Sequence, residues 1–261
     1  MSLTERLTVI RQIVKAEKKV SVSDLSRQFQ VTEETIRRDL EKLEKEGLVA
    51  RTYGGAVLNA VTESDHVDFL RRAQTHVAEK QTIASIAAGL FPERATIGAD
   101  ASSTVMETIS LLGGRSDLTV LTNSIKIVRE LDQSQLNIMS TGGLINKNSY
   151  CFQGEVARAA LERFMVDTVL ISCKGLNIEE GIFDSDANEA ELKKVLISRG
   201  GRIILLADHT KFNQVGFIKL LDFNQLDIVV TDQCPSKEWL KVLQKAGIRV
   251  MYPGSEEESR T

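Results

Sequence analysis

The first stretch whose side chains could bind a ligand is D-A-S-S-T, residues 100–104, where an apolar segment gives way to small polar residues. Ser102, Ser103 and Thr104 lie where the pattern predicts a strand turning into a helix. Their amides and hydroxyls could therefore converge on an anion at the positive end of the helix dipole. The same pattern is equally typical of a plain helix cap formed by Ser102 or Ser103. The residues alone leave both interpretations open.

Carboxylates that could transfer protons lie in GIFDSDANEAELKK, residues 181–194. The candidates for a general base are Asp184, Asp186 and Glu189. Lys174 or Lys211 would then stabilise the enediolate that forms.

The same carboxylates also have non-catalytic interpretations. Asp186 or Asn188 can cap the following helix, and Glu189 with Lys193 is an ordinary pair four residues apart. Asp184 and Glu189 can instead hydrogen-bond the hydroxyls of a sugar that is bound without turnover. We favour these non-catalytic roles.

A third group of polar side chains lies on a helix predicted over residues 31–47, VTEETIRRDLEKLEKEG. Its inward face consists of Val31, Ile36, Leu40 and Leu43. Its free face carries Thr35, Arg37, Arg38 and Lys42. Thr32 caps its start and Gly47 ends it, and a shorter helix capped by Ser23 precedes it, so the segment is a helix-turn-helix.

An Arg-Arg pair alone is more often part of a solvated surface, but the following residues change that interpretation. LVARTYGGAVL, residues 48–58, predicts two short strands joined at Gly54 and Gly55, which is the hairpin wing that often follows a recognition helix. We therefore expect a winged helix-turn-helix DNA-binding domain over residues 1–58.

These segments closely resemble the amino-terminal module of the DeoR family of bacterial transcription regulators. The specific part of the match is T-I-R-R-D-L with R-x-x-G-G-A, and the resemblance covers residues 3–58. It implies that the recognition helix and the wing both contact DNA. The DNA-contacting residues expected from it are Thr35, Arg37, Arg38, Arg51 and Tyr53, with Thr32 at the start of the helix counted among them.

Composition limits what the rest of the chain can be. The 261 residues, 42% hydrophobic and 26% charged, have room for a small and a larger globular domain. No run approaches the ~20 apolar residues of a membrane span, and the first residues lack a signal peptide's apolar core. We expect a cytoplasmic protein without membrane contact. Three cysteines without C-x-x-C spacing and three scattered histidines give no reason to expect a metal or a cofactor.

The net charge of −3 divides unevenly along the chain. Residues 1–58 carry 11 Lys and Arg against 9 Asp and Glu, a charge of +2, and the remainder carries −5. A charge of +2 cannot by itself hold a duplex. Tight binding to double-stranded operator DNA would need two recognition helices in successive major grooves, ~34 Å apart, so we expect a homodimer or homotetramer.

Apolar runs beyond residue 94 predict the strands of a second domain. They lie at 95–100, 118–122, 136–141, 167–173, 202–208, 227–232 and 249–252. Continuous apolar runs separated by helical stretches are typical of a doubly wound, mainly parallel α/β sheet, with ligands bound at the carboxyl ends of its strands. We expect this domain over residues 76–252, after a linker at 59–75 and before a disordered tail at 253–261.

The motifs D-A-S-S-T, L-T-N-S, T-G-G, F-x-G-E, G-x-F-D-S and A-D-H-T-K-F resemble the effector domain of the same family, over about residues 76–235. This resemblance implies the fold of ribose-5-phosphate isomerase and CoA transferases, and a phosphorylated sugar as effector. The family commonly has Gly where this chain has Ser102. The effector contacts expected are Asp100, Ser102, Ser103, Thr104, Asn123, Gly142, Gly143, Lys174, Asp184, Glu189 and Lys211.

Together these patterns predict a repressor of a carbohydrate-utilisation operon that a phosphorylated sugar or related metabolite releases from DNA. The alternative is a sugar-phosphate isomerase- or deaminase-like enzyme carrying a DNA-binding module. We favour the sensor and expect no enzymatic activity, because the attached helix-turn-helix makes sensing the simpler use of the domain. Fold-level analogy by itself does not decide the chemistry.

Overall fold

The computed structural model describes residues 3–17, 19–45, 49–52, 54–58 and 69–255. The chain divides into two compact units, residues 1–65 and 66–261. In the described ranges, no helix combines the length and the apolar character that crossing a membrane requires.

The first unit is a small three-helix domain, and it contains the helix-turn-helix and the hairpin wing that the sequence predicts. In chain order its elements are α1 (Leu3–Glu17), β1 (Lys19–Ser21), α2 (Val22–Phe29), α3 (Glu33–Lys45), β2 (Val49–Thr52) and β3 (Gly55–Leu58). The predicted hairpin strands are β2 and β3, and β1 pairs antiparallel with β3 as a third strand that the sequence analysis did not predict. The cap of α2 is Ser21, whose hydroxyl accepts from the Asp24 amide, and not Ser23 as expected.

A buried ion pair fixes the predicted recognition helix, α3, against α1. Arg6 Nε donates to Asp39 Oδ2 at 2.6 Å, and a second guanidinium nitrogen donates to Asp39 Oδ1 at 3.3 Å. Asp39 is only 2% exposed, and its hydrogen bond raises the pKa of Arg6. Asp39 is the acidic residue of T-I-R-R-D-L, so part of that motif is structural.

We predict that Arg6→Ala destabilises the first unit by about 3 kcal/mol, because it leaves the Asp39 carboxylate buried without a partner. Hydrogen exchange of the α1 and α3 amides measures this loss. Arg27→Ala is the matched control: Arg27 forms an exposed pair with Asp24 at 2.8 Å and should cost less than about 1 kcal/mol. Equal protection of α3 in Arg6→Ala and Arg27→Ala would contradict the structural role of Arg6.

The second unit alternates strands and helices. In chain order its elements are α4 (Phe69–Gln74), α5 (Val77–Ala88), β4 (Thr96–Ala99), α6 (Ser103–Leu111), β5 (Thr119–Thr122), α7 (Ile125–Glu130), β6 (Asn137–Ser140), β7 (Leu144–Asn146), β8 (Cys151–Gln153), α8 (Glu155–Glu162), β9 (Val166–Ser172), β10 (Gly175–Asn177), β11 (Gly181–Asp184), α9 (Ala187–Ser198), β12 (Gly200–Leu206), β13 (Ile218–Leu221), β14 (Ile228–Val230), α10 (Lys237–Lys245) and β15 (Arg249–Met251).

A seven-stranded sheet, parallel throughout, forms the centre of this unit. Its strand order is β15, β14, β12, β9, β4, β5, β6. Each of the seven predicted apolar runs overlaps one of these strands. One core cluster, with Ile83 and Ile109, packs α5 and α6 on one face; another, with Leu161, Leu196 and Leu243, packs α8, α9 and α10 on the other. The doubly wound parallel architecture is confirmed.

The order of the strands places a topological switch point between β4 and β9. From β4 the chain moves outward through β5 and β6, and it then returns to β9 and moves outward in the opposite direction. Ligands of open α/β sheets bind outside the carboxyl ends of the strands at such a point. The fold therefore predicts a ligand site among the residues that follow β4 and β9.

Other parts of the second unit differ from the expectations. Strands β10, β11 and β13 form a small antiparallel sheet and β7 pairs with β8, and neither feature was predicted. A linker was expected over 59–75, but residues 69–74 form α4, and Phe69 is 2% exposed. Residues 59–68 lie outside the described residues. Of the tail expected at 253–261, Ser255 bonds the backbone of Tyr252, and residues 256–261 also lie outside the described part.

Candidate functional site

A buried lysine on α9, Lys193, forms the charged centre of the switch point. Its Nζ lies 2.7 Å from Asp184 Oδ2 and 3.0 Å from Asp100 Oδ2, and it donates to the Ser172 carbonyl at 2.9 Å. The side chain is 8% exposed. Lys193 thus donates hydrogen bonds to Asp184 and to the Ser172 carbonyl, and Asp100 adds an ion pair.

Backbone amides also donate to the two carboxylates. Asp100 accepts from the amides of Ser102 and Ser172 at 2.8 and 2.9 Å. Asp184 accepts from the Ser185 amide at 2.7 Å. Since Asp100 follows β4 and Ser172 ends β9, one carboxylate joins the two strands that flank the switch point.

The neighbouring charges determine the protonation state of Lys193. Burial by itself lowers the pKa of Lys193, but the carboxylates of Asp100, Asp184 and Glu189 outweigh burial and raise that pKa above its ordinary value. Lys193 is therefore a permanent cation. The oxygen atoms of Asp100 and Asp184 that face it are already used, which leaves them little capacity to act as bases.

At the start of α6, the helix-cap interpretation of D-A-S-S-T applies to Ser102, and the anion-binding interpretation applies to Ser103 and Thr104. Ser102 is the helix cap, because its hydroxyl accepts from the Val105 amide at 3.2 Å. Ser103 and Thr104 occupy the first helical turn, and in the described structure no hydrogen-bond acceptor is found for their amides or hydroxyls. These groups are available to an anion.

A cleft of about 60 Å³ opens in front of these free groups. Its cations are Arg72 on α4, Lys80 on α5 and Lys211, which follows β12, and Asp208 is its one carboxylate. The remaining lining residues are Thr75, His76, Ser102, Ser103, Thr104, Ser172 and Cys173. Three cations against one carboxylate at a helix N-terminus favour a bound anion.

Lys80 is buried in this cleft, with an exposed fraction of 6%. Its Nζ donates to the carbonyls of Arg72 and, at 2.6 Å, Thr75, both at the end of α4. Burial lowers the pKa of Lys80, Asp208 acts against this, and the positive charges of Lys211 and Arg72 lower the pKa further. An anion in the cleft would reverse part of this effect, because it would offset the repulsion among the cations.

A smaller recess of about 10 Å³ lies beside Lys193, lined in part by Asp100, Asn123 and Glu189. Burial raises the pKa of Glu189, although the charges of Lys193 and Arg72 lower it. Asn123 donates its side-chain amide to the Phe152 carbonyl at 3.2 Å. Glu189, partly buried and free of the Lys193 contacts that hold Asp184, is the carboxylate best placed to accept from a ligand's hydroxyl.

Several of the expected effector-contacting residues line neither the cleft nor the recess. Gly142 and Gly143 have φ of +62° and +119° in the connection from β6 to β7, and neither lines the cleft or the recess. At Gly143 a Cβ would meet the Gln153 carbonyl at 2.8 Å, so close packing explains this glycine. Lys174 donates its amide to Phe183 and does not line either space.

Asp186 and Cys173 do not carry out chemistry in this arrangement. Asp186 caps α9, accepting from the amides of Asn188 and Glu189 at 2.9 Å, as the capping interpretation predicted. Burial raises the pKa of the Cys173 thiol to about 12, so it stays protonated at neutral pH. Among the described residues, no cluster of His, Cys, Asp and Glu could hold a metal ion.

The exposed face of α3 carries the expected DNA-contacting residues. Thr32 caps the helix, accepting from the Thr35 amide, and the two hydroxyls lie 2.9 Å apart. Arg37 pairs with Glu33 at 2.6 Å, and Arg38 lies 3.4 Å from Glu34.

The rest of the expected DNA-contacting set is only partly described. The side chain of Arg38 is 74% exposed, so it remains accessible despite its pair with Glu34. The side chain of Arg51 and all of Tyr53 lie outside the described residues.

Three residues of the site were not identified from sequence. Arg72 was placed in the linker, Lys80 was not singled out, and Lys193 was interpreted as an ordinary helical pair with Glu189. Lys80 and Arg72 precede the first strand of the sheet, so no strand end marks them. One sequence feature could have indicated that Lys193 is buried. Lys193 follows the G-x-F-D-S motif on a helix in which the nearby Leu192 and Leu196 are buried.

The two units define a class of protein in which a helix-turn-helix domain is joined to an α/β domain whose cleft is lined by three cations. The DeoR-like helix-turn-helix domain family matches residues 6–62, and the DeoR C terminal sensor domain family matches residues 75–233. The uncharacterized HTH-type transcriptional regulator YulB of Bacillus subtilis is 38% identical over 251 residues, 96% of each chain. The HTH-type transcriptional repressor GlcR of the same organism is 30% identical over 254 residues, 97% of each. This chain belongs to the DeoR family of transcriptional regulators.

A solved structure of ribose 5-phosphate isomerase A from Methanocaldococcus jannaschii is similar to part of the chain. It covers 51% of this chain and 53% of that one, with 15% sequence identity and a TM-score of 0.39. Similarity at this level carries no information about what this chain binds.

We predict that Lys193→Met lowers the stability of the second unit by roughly 3 to 5 kcal/mol at neutral pH, because two carboxylates lose their buried cation. The loss should be smaller near about pH 5 than near about pH 8, since mild acid lets one carboxylate take up a proton. Denaturant unfolding followed by the fluorescence of Trp239, the single tryptophan of the chain, reports on this unit.

The control for this measurement is the neighbouring Lys194→Met. Lys194 forms an exposed pair with Glu191 at 3.2 Å, and its loss should cost less than about 1 kcal/mol at either pH. If Lys193→Met and Lys194→Met unfold at the same denaturant concentration, the buried cluster does not have the role assigned to it.

Proposed function

We propose that this protein is a cytoplasmic repressor of a carbohydrate-utilisation operon, released from its operator by a phosphorylated sugar. Regulators of this family act on sugar operons, and the relative GlcR is named a repressor. The observation that carries the sensor half of the proposal is the cleft between α6 and the three cations Arg72, Lys80 and Lys211. A phosphate group supplies the charge and the oxygen acceptors that this cleft lacks.

The phosphate would lie at the start of α6. The amides of Ser103 and Thr104 would donate to its oxygens, and Lys211 would add a point charge. Lys80 would contribute its charge while remaining anchored to α4 through the two carbonyls it bonds. Because several of these bonds are charge-assisted, at roughly 1.5 to 3 kcal/mol each, removing the phosphate should remove most of the affinity.

The sugar would extend from the phosphate toward the recess beside Lys193. Glu189 and Asn123 line that recess and offer an acceptor and an amide to hydroxyl groups. Asp184 and Asp100 contribute indirectly, because their bonds to Lys193 leave them fixed rather than free to move protons. This arrangement favours binding over turnover, in agreement with relatives that are named transcriptional regulators.

The DNA half of the proposal rests on the exposed face of α3. Arg37 and Arg38 would exchange their helix partners Glu33 and Glu34 for base edges or phosphates in the major groove. Two such helices in a homodimer or homotetramer would bind two half-sites. The effector would act by favouring an arrangement in which the helices no longer match the half-sites, with a coupling free energy of about 1 to 3 kcal/mol per site.

We predict that pentose or hexose phosphates raise the melting temperature of the full chain and release it from a duplex that the protein itself has selected from a random pool. The corresponding free sugars should bind far more weakly. Nuclear magnetic resonance of overnight incubations should show no product. Sustained conversion of any phosphate, lost in Glu189→Gln, would establish the isomerase alternative instead.

Ser103→Asp tests the position of the phosphate. It places a like charge at the start of α6, so sugar phosphates should no longer release the DNA, while DNA affinity without ligand stays as in the parent protein. Ser110→Asp, on an exposed turn of the same helix, makes the same charge change away from the cleft and should still respond. A Ser103→Asp protein that responds normally would show that this end of α6 is only a helix cap.

We predict that Arg38→Ala lowers affinity for the selected duplex by about 1 to 3 kcal/mol and relaxes the preference at one base pair, if Arg38 reads a base edge. Fluorescence anisotropy across a salt series measures both effects. Arg158→Ala is the control, because Arg158 forms a similar exposed pair with Glu162 at 3.0 Å in the other unit. Equal affinity of Arg38→Ala and Arg158→Ala for the selected duplex would contradict the proposal that Arg38 on α3 contacts DNA.

A further inference from the structure

The described structure contains one buried side-chain nitrogen or oxygen atom without a hydrogen-bond partner, and it is Nε of Arg72. Buried polar atoms are normally satisfied, so an orphan donor points to a group that is bound there in the functional state. Arg72 lines the anion cleft beside Ser103 and Lys211. We propose that Arg72 is an effector-binding residue whose Nε–H donates to the anionic ligand, and that it connects occupancy of the cleft to α4. This inference rests on the proposed function.

The surroundings of Arg72 hold its side chain in place without giving it an acceptor. The guanidinium carbon lies 5.9 Å from the centroid of the Phe69 ring, one turn earlier on α4. Phe69 is buried, its ring lies 6.2 Å from that of Tyr150, and its amide donates to the Asn148 carbonyl at 2.9 Å. Stacking on an aromatic face leaves the in-plane N–H groups of an arginine free for a second partner.

An anion is the partner that matches this donor. Within the described ranges no carboxylate accepts a hydrogen bond from Arg72, although the Arg72 charge acts on the partly buried Glu189. A guanidinium presents parallel N–H groups that fit two oxygens of one phosphate or carboxylate, a geometry that a lysine cannot reproduce. The cleft already offers the α6 amides, so a phosphate there would have donors from both α4 and α6.

The position of Arg72 in the chain gives this bond a regulatory consequence. Helix α4 is the first described element that follows the strands of the DNA-binding unit in the chain. Its end is tied to the cleft by Lys80, which donates to the carbonyls of Arg72 and Thr75. A ligand that binds both Arg72 and Lys80 would contact α4 directly through the Arg72 side chain. It would also act on the end of α4 through Lys80, which bonds the carbonyls of Arg72 and Thr75. Its binding should therefore change the stability of α4.

The experiment compares three variants of the full chain with the parent protein, using inorganic phosphate as the probe. Calorimetry should show phosphate binding about 10-fold or more weaker in Arg72→Lys, which keeps the charge and loses the Nε–H, and weaker still in Arg72→Ala. Arg71→Ala, the exposed neighbour on the same helix, should bind phosphate within about twofold of the parent protein. Circular dichroism verifies that each variant is folded.

Hydrogen exchange of residues 69–74 with and without phosphate measures the second part of the proposal. Phosphate should slow exchange in α4 of the parent protein and of Arg71→Ala, and should leave it unchanged in Arg72→Lys. Equal phosphate affinity in the parent protein and Arg72→Lys, or an α4 response that persists in Arg72→Lys, overturns this inference and leaves the sensor proposal in place. A parent protein that binds neither phosphate nor any sugar phosphate overturns the proposed function itself.

Discussion

The second unit depends on keeping one ammonium group charged and buried at the end of a parallel sheet. Removing such a charge from water costs several kcal/mol, roughly, unless partners of opposite charge and additional hydrogen bonds offset it. Lys193 has these partners from separate segments, because Asp100 follows β4 and Asp184 ends β11. Asp100 in turn accepts from the Ser172 amide at the end of β9. The cluster therefore joins α9 to both strands of the switch point, and the neighbouring cleft is built on positions that these bonds fix.

The parallel sheet was predictable from sequence because its strands are apolar runs buried on both faces. Such a run can be recognised without knowing which strands lie beside it, and the sequence analysis located all seven. The antiparallel strands were not predictable in the same way. β10, with the sequence GLN, and β7, with LIN, have three residues each and contain too few apolar positions to show a period. They form because β11 and β8 lie beside them, which is information that the local sequence does not contain.

The candidate site was predictable where its residues follow strands and was missed where they do not. Ser103, Thr104 and Lys211 come directly after β4 or β12, so the rule for open sheets was sufficient to find them. Arg72 and Lys80 reach the same cleft from helices that precede the first strand, and only the packing of those helices brings them there. The sequence analysis paired Lys193 with Glu189 because helical spacing identifies only neighbours on the same helix. The ion pairs of Lys193 are instead with Asp100 and Asp184, which lie on other segments.

The proposed DNA-binding face of α3 carries carboxylates beside its arginines, and this limits how strongly one domain would bind DNA. In the free protein Arg37 and Arg38 are paired with Glu33 and Glu34 on the same exposed helix. Such pairs contribute only about 0.3 to 0.5 kcal/mol, so DNA can displace them at little cost, but the nearby carboxylates also limit the attraction of one domain to phosphates. In the proposed homodimer or homotetramer, useful affinity would come from two domains that bind together. The proposed effector would not need to disrupt either recognition helix, because a change in the spacing of the two helices would prevent contact with the second half-site. A coupling of about 1 to 3 kcal/mol per site is sufficient for such a change to alter occupancy several-fold.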